Sequence, residues 1–321
     1  MSINLPDLQS YKVNFLNKGV NYPLNTIAIP KQGLLNTLPV AINKTGWPWT
    51  EQTNPAVYPD KITWPKLTIV TPSYNQGQFI EQTIRSVLLQ NYPNLEYIII
   101  DGGSTDNTQQ VLNKYSPWIS YWQSEKDNGQ SHAINQGFSL AKGDYMAWIN
   151  SDDYYLNTTF FKVLNTFIAT KTDFVYGYGL NYKIAENKLE IVQVPPLLDY
   201  FIRIPSLVQP SCFWRATIHQ PLWEELHCSL DFELWQRLVK GNKRKLIKEP
   251  LSVANVHVDA KTSDPKMGST WAKDHQLICA DNAYGPVHNW HTMTFLNRVY
   301  LFAIKIFKKI APNNSGNINQ A

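Results

Sequence analysis

LTIVTPSYNQGQFIEQTIRSVLLQNYPNLEYIIIDGGSTDNT, residues 67–108, decides the fold. LTIVT (67–71) and EYIII (96–100) are short β-branched runs without polar alternation, the pattern of strands buried on both faces. Between them Ile80, Ile84, Val87 and Leu88 recur at the spacing of one helical face, and NYPN (91–94) reads as a turn. Strand, helix and strand in this order predict an α/β domain with a mostly parallel sheet and helices on both faces.

The same texture continues outward. A helix is expected through Val111 and Leu112, with Ser104, Thr105 or Asp106 as its cap. Another is expected through Ala133, Ile134, Gly137, Phe138 and Ala141, followed by a strand at YMAWI (145–149). Each strand then delivers a polar cluster at its carboxyl end: Ser73–Asn75, Asp101–Asp106 and Ser151–Asp153. In open α/β sheets that edge is where ligands bind. The adjacent carboxylates Asp152 and Asp153 repel each other, which a divalent cation would offset. Hard oxygen ligands suit Mg²⁺ or Mn²⁺ shared with a substrate phosphate. A helix cap or a turn is the plainer alternative. PSYNQGQ after the first strand is neither the G-x-G-x-x-G of a dinucleotide site nor a P-loop, so both readings fall.

Residues 1–65 are rich in Pro and Asn, which disfavours helix and central strand, and GWPWT (46–50) carries aromatics that want burial. We expect an extended arm over 1–65 and a main domain over 66–260. A C-terminal loop and basic amphipathic helix would occupy 261–321. In that tail Phe295, Val299, Phe302, Ile306 and Ile310 share one helical face, with Arg298, Lys305, Lys308 and Lys309 beside it. This is the pattern of a helix in an anionic membrane interface, or of a last helix packed on the domain with a solvated basic face.

Of the 321 residues 43% are hydrophobic and 17% charged, with a net charge of +4. No Lys/Arg block interleaved with aromatics suggests a nucleic-acid groove. The cysteines Cys212, Cys228 and Cys279 lack metal spacing and favour a reducing compartment. With no secretory signal or membrane span legible, the expected location is cytoplasmic, at the inner face of the membrane if the tail binds there.

Segments 71–108, SEKDNGQSHAINQGFSLAKGDYMAWINSDD (124–153) and LDFELWQRL (230–238), taken in order, resemble family 2 of glycosyltransferases, inverting enzymes of the GT-A fold. The resemblance covers roughly 66–260 and implies a nucleotide-binding half over 66–153 and an acceptor half over 154–260. It implies transfer of a sugar from a nucleotide-sugar to an acceptor hydroxyl, in surface polysaccharide or glycolipid synthesis, with a saccharide or lipid-linked saccharide as acceptor. It implies Pro72 and Tyr74 lining the base, Asp101 at the base or ribose, and Asp127, Gly129 and Asn135 on the nucleotide-sugar. Asp152 would then sit near the ribose, Asp153 would hold Mn²⁺ or Mg²⁺, and His257 would add a metal or phosphate contact. Asp231, in DFELW, falls where the family places its general base; a helix cap is its plainer role. QPSCFWR (209–215) resembles the segment shaping the acceptor side. Ser151 stands where many members have Asp, and His132 where an acidic residue is common. Two rivals remain: a nucleotidyltransferase, which would want a Gly-rich basic loop after the first strand, and a catalytically silent nucleotide-sugar-binding module.

Overall fold

Strands β1 (Leu67–Ser73) and β2 (Leu95–Asp101) are buried at every position, mostly apolar but with Thr68 donating to the buried Glu96 carboxylate at 2.6 Å. They pair in parallel, Leu67 opposite Leu95, and β1 pairs on its other side with β4 (Tyr145–Trp148). A computed structural model describes residues 4–194 and 207–280 except 259, 262 and 263, with six further positions between 295 and 306. Among these residues nine strands form one sheet, ordered β3-β2-β1-β4-β8-β6-β9-β5 with β7 beside β6. Here β3 is Tyr121–Ser124, β5 Tyr154–Tyr155, β6 Phe174–Lys183, β7 Lys188–Val192, β8 Cys212–Arg215 and β9 Arg244–Val256. The four strands β3, β2, β1 and β4 are parallel, and β8 is antiparallel to both β4 and β6.

Right-handed crossovers distribute the helices. Helices α2 (Ile80–Leu88) and α3 (Thr108–Tyr115) follow β1 and β2 on one face. The chain then doubles back from β3 to β4, which puts α4 (Gln130–Leu140) on the other. The order therefore reverses beside β1, and a crevice opens at the carboxyl edge of β1 and β4. Helix α6 (Leu230–Val239) seats Trp235 flat on Trp148 of β4, rings 5.1 Å apart, with Trp214 of β8 edge-on to both. Stacked and edge-to-face rings in a water-free core fix the helix where aliphatic contacts would let it slide. Helix α5 (Thr159–Thr170) packs Phe160 on Tyr155 and Phe213.

The arm differs from the expectation at one place. Residues 8–17 form a helix, α1, begun by Asp7, whose carboxylate accepts Gln9 N–H at 3.0 Å, and closed by Val20 N–H reaching back to Phe15 O. It ends before Pro23, so the run of prolines from there onward leaves it untouched. Beyond α1 the arm is mostly irregular, and Leu24, Ile27, Leu34, Leu38, Tyr58 and Trp64 are buried. The fully buried Arg85 of α2 clamps it, donating to the carbonyls of Pro39, Pro48 and Trp49, each at 2.9 Å, and to Tyr115 Oη at 3.0 Å. In the tail, Phe295, Val299, Phe302 and Ile306 are helical and exposed; Ile310, Lys305, Lys308 and Lys309 lie outside the described residues. Among the described residues no helix is long and apolar enough to cross a membrane.

Candidate active site

The loops after β1 and β2 are laced together. Asn75 N–H donates to Ser104 Oγ (2.7 Å), Gln76 N–H to Thr108 Oγ1 (3.0 Å) and Gly77 N–H to Asp106 Oδ2 (2.9 Å). A β-carbon on Gly77 would stand 1.8 Å from Asn107 Oδ1, so a larger residue there would have to displace that side chain. Asp101 organises the second loop from within. Its carboxylate is fully buried and accepts Ser104 N–H (2.8 Å), Ser104 Oγ–H (2.5 Å) and Ser124 Oγ–H (2.5 Å). It therefore shapes the loop rather than facing a ligand. Pro72 is likewise buried in β1, opposite Ile100. Tyr74 is the residue this loop presents outward, 60% exposed.

Between β3 and α4, Asp127 Oδ1 accepts Gly129 N–H at 2.8 Å and its carboxyl lies against Gly102. Burial raises the carboxyl's pKa. Gly129 has φ +108°, a conformation other residues seldom adopt, and opens α4. Asn135 is placed elsewhere than expected. It is fully buried, its amide donating to Leu222 O and Glu224 Oε1 and accepting Leu222 N–H, so its polar atoms hold the 222–224 segment.

The loop after β4 explains its paired carboxylates. Thr83 Oγ1 donates to the carbonyls of Ser151 (2.9 Å) and Asp153 (2.6 Å), and Asn255 Nδ2 donates to that of Asp152 (2.5 Å). With three successive carbonyls anchored, the two side chains diverge. Asp153 turns inward, 7% exposed, and accepts Asn255 N–H at 3.1 Å. Burial pushes its carboxyl well above the usual range, and the neighbouring Asp152 charge adds to this. Asp152 turns outward, and His257 Nε2 lies 3.2 Å from its Oδ2, the imidazole packed at a tilt of 36° against Phe79. His257 Nδ1 is buried without a partner. Among the described residues no three His, Cys, Asp or Glu side chains converge as a ready-made metal cage.

Asp231 is the second residue of α6, and it is not the helix cap. In the turn leading into the helix, the amides of His227, Cys228 and Ser229 all donate to Asp274 Oδ2 of α7 (Gly268–Ala280). Burial raises the Asp231 carboxyl, local amides of Asp231 and Phe232 opposing it. Its charge in turn helps burial to raise the Cys212 thiol at the start of β8, which places it near the QPSCFWR segment. Cys212 and Cys228 are free thiols.

Sequence reading missed three residues at this edge. Lys261 Nζ donates to Gln130 Oε1 (2.9 Å) and to His227 O (3.1 Å), and Gln130 Nε2 donates to Asn150 Oδ1 (2.8 Å). That chain ties the β4 loop, α4, the segment after β9 and the approach to α6. Asp274 is the third. None carries a local pattern, because each acts across 20 to 131 positions of sequence.

The profile of "Glycosyl transferase family 2" matches residues 68–229, half of the chain. A putative teichuronic acid biosynthesis glycosyltransferase, TuaG of Bacillus subtilis, is 32% identical over 140 residues, covering 42% of this chain and 56% of that one. Across the curated relatives it matches, the chain spans two thirds of their length or less. S. aureus TarS 1–349, solved in complex with UDP-GlcNAc, superposes with a TM-score of 0.56 at 17% identity, covering 74% of this chain and 73% of that one. The mannosyltransferase PcManGT from Pyrobaculum calidifontis, solved with GDP-Man and Mn²⁺, gives 0.51 at 16% identity, covering 87% and 77%. These likenesses establish the fold as GT-A. With the match to half its length and the DGGS and SDD loops at one sheet edge, the chain belongs to glycosyl transferase family 2.

Proposed function

We propose that this protein transfers a sugar from a nucleotide-sugar to an acceptor hydroxyl with inversion of the anomeric centre. The reading is carried by two unlike carboxylates at one sheet edge. Asp152 is turned outward beside His257, while Asp231 is made more basic by burial. Asp231 accepts the proton of the acceptor hydroxyl as that oxygen attacks, and a base of raised pKa suits this task near neutrality. Tyr74 offers its ring to the base, and Asp127 and Gly129 stand beside the DGGS loop where the donor's sugar and ribose would lie. Asp152 and His257 would hold Mn²⁺ or Mg²⁺, since one carboxylate and one imidazole converge there. An ion so held would supply neutralisation of charge on the departing nucleoside diphosphate. The metal role first expected of Asp153 thereby passes to Asp152, and Asp153 serves the fold.

The PcManGT complex with Mn²⁺ and the TarS complex with UDP-GlcNAc support a divalent ion and a hexosyl donor. TuaG's name supports a surface polysaccharide as product. A lipid-linked saccharide acceptor at an anionic, cytoplasmic membrane face agrees with the exposed Phe295, Val299, Phe302 and Ile306. Thermal shift with UDP- and GDP-sugars, with and without Mn²⁺, followed by assay of nucleoside-diphosphate release, tests the reading. Mn²⁺-dependent binding with slow release is expected. Binding without turnover in the presence of saccharide acceptors would leave a binding module, and pyrophosphate release from a nucleoside triphosphate and a sugar phosphate would indicate a nucleotidyltransferase.

A further inference from the structure

Helix α6 begins in an unusual way. Its first N–H groups need acceptors, and the residue at the N-cap position is Ser229, a good local cap. Yet Ser229 makes no capping bond and its buried hydroxyl has no partner. The turn leading into the helix is instead held from 45 to 47 positions away. Asp274 of α7 is fully buried, and its Oδ2 takes His227 N–H (3.0 Å), Cys228 N–H (2.7 Å) and Ser229 N–H (2.9 Å). Lys261 grips the same turn from its other side through His227 O (3.1 Å), and through Gln130 it also holds Asn150 beside the outward-facing Asp152. The start of α6 is thus placed by α7 and by the segment after β9, not by its own sequence.

We propose that Asp274 is a positioning residue for sugar transfer: by gathering the three amides before α6 it sets where Asp231 stands relative to the donor edge. Three charge-assisted hydrogen bonds onto one oxygen fix that turn in place and direction. A base displaced by about 1 Å can lose on the order of 10²-fold in rate. The inference rests on Asp231 being the base, and it adds a requirement that α7, beyond the matched residues 68–229, be docked for catalysis.

The test uses the full chain and the member of a UDP- and GDP-sugar panel that the parent binds with Mn²⁺. Donor Kd comes from calorimetry and kcat from nucleoside-diphosphate release by hydrolysis, with Asp231→Asn run alongside. Asp274→Asn can present its amide oxygen to the same three N–H groups and should keep kcat within about threefold. Asp274→Ala should lower kcat at least about tenfold with donor Kd within about twofold. Asp274→Ser, whose hydroxyl is too short to gather three amides, substitutes for the alanine variant if that one does not fold. Loss of kcat at unchanged Kd, restored in the Asn variant, supports the proposal. Normal kcat in the Ala or Ser variant while Asp231→Asn is slow overturns it and leaves the base assignment intact. Parallel loss of donor binding and kcat also overturns it, as general damage. Normal turnover by Asp231→Asn overturns the base assignment itself, and this inference with it.

Discussion

Asp231→Asn should make the protein slower without making it weaker. A general base contributes roughly 10²–10⁴-fold, so the substitution should raise the barrier by about 3–5 kcal/mol and cut turnover at least a hundredfold. Stability follows from the sign of the pKa shift. Burial raises the Asp231 carboxyl above its unfolded value, so its contribution to stability is fully present below the unfolded pKa and is lost as pH rises through the folded pKa. At neutral pH the ionised group therefore opposes folding, and a neutral amide of the same size relieves this. Against it stands the loss of a carboxylate near a helix N-terminus, about 0.3–1 kcal/mol. The carboxyl's local bonds to the amides of Asp231 and Phe232 can be kept by an amide oxygen, so little hydrogen bonding is lost. Net, Tm at pH 7.5 should fall by no more than about 2–3 °C or should rise. Scanning calorimetry gives Tm and nucleoside-diphosphate release gives turnover; the acid limb of the parent's rate profile should lie above the ordinary carboxylate range near 3.8. Turnover within tenfold of the parent, or a Tm drop of 8 °C or more, would refute the reasoning.

The acidic pair should separate cleanly: Asp152→Asn loses Mn²⁺-dependent donor affinity by about 10²-fold or more, whereas Asp153→Asn keeps it, as titration calorimetry of both would show. Asp153→Asn should also be no less stable at pH 8 than at pH 5 relative to the parent, since a carboxyl held above its usual range opposes folding once ionised. Arg85→Met removes the donor to three arm carbonyls and should cost about 3 kcal/mol or more in denaturant unfolding, with trypsin cutting first within residues 30–50. Flotation with anionic liposomes at low salt should carry the full chain but not a version ending at Trp290; equal recovery would dismiss the membrane role of the tail.

The parallel sheet was legible because its cause is local. Burial of both faces of β1 and β2 favours apolar side chains at Leu67, Ile69, Val70 and Ile98–Ile100, and those short runs without polar alternation show in the string itself. Helix α1 was legible in principle, through Asp7 before LQSYKVNFLN, but its short signal is outweighed by the prolines that run from Pro23 to Pro65. Asp101 and Asn135 stand in the expected motifs yet turn inward onto Ser104, Ser124 and the 222–224 segment. A motif records which residues are present, and the side chain's direction depends on partners it meets only after folding.

The string of residues alone thus determined the strand–helix alternation, the polar clusters at the carboxyl edge and the glycosyltransferase signature, all set by hydrophobic period and short spacings. Tertiary structure decided which of two neighbouring carboxylates turns outward, because the carbonyls of residues 151–153 are anchored by Thr83 and Asn255, 68 and 103 positions away. It also decided how the turn before α6 is held, because Asp274 gathers its amides from another helix. Hydrogen bonds at close range are directional and their partners are drawn from the whole chain, so the final orientation of a charged side chain is a property of the packed molecule and not of its neighbours in sequence.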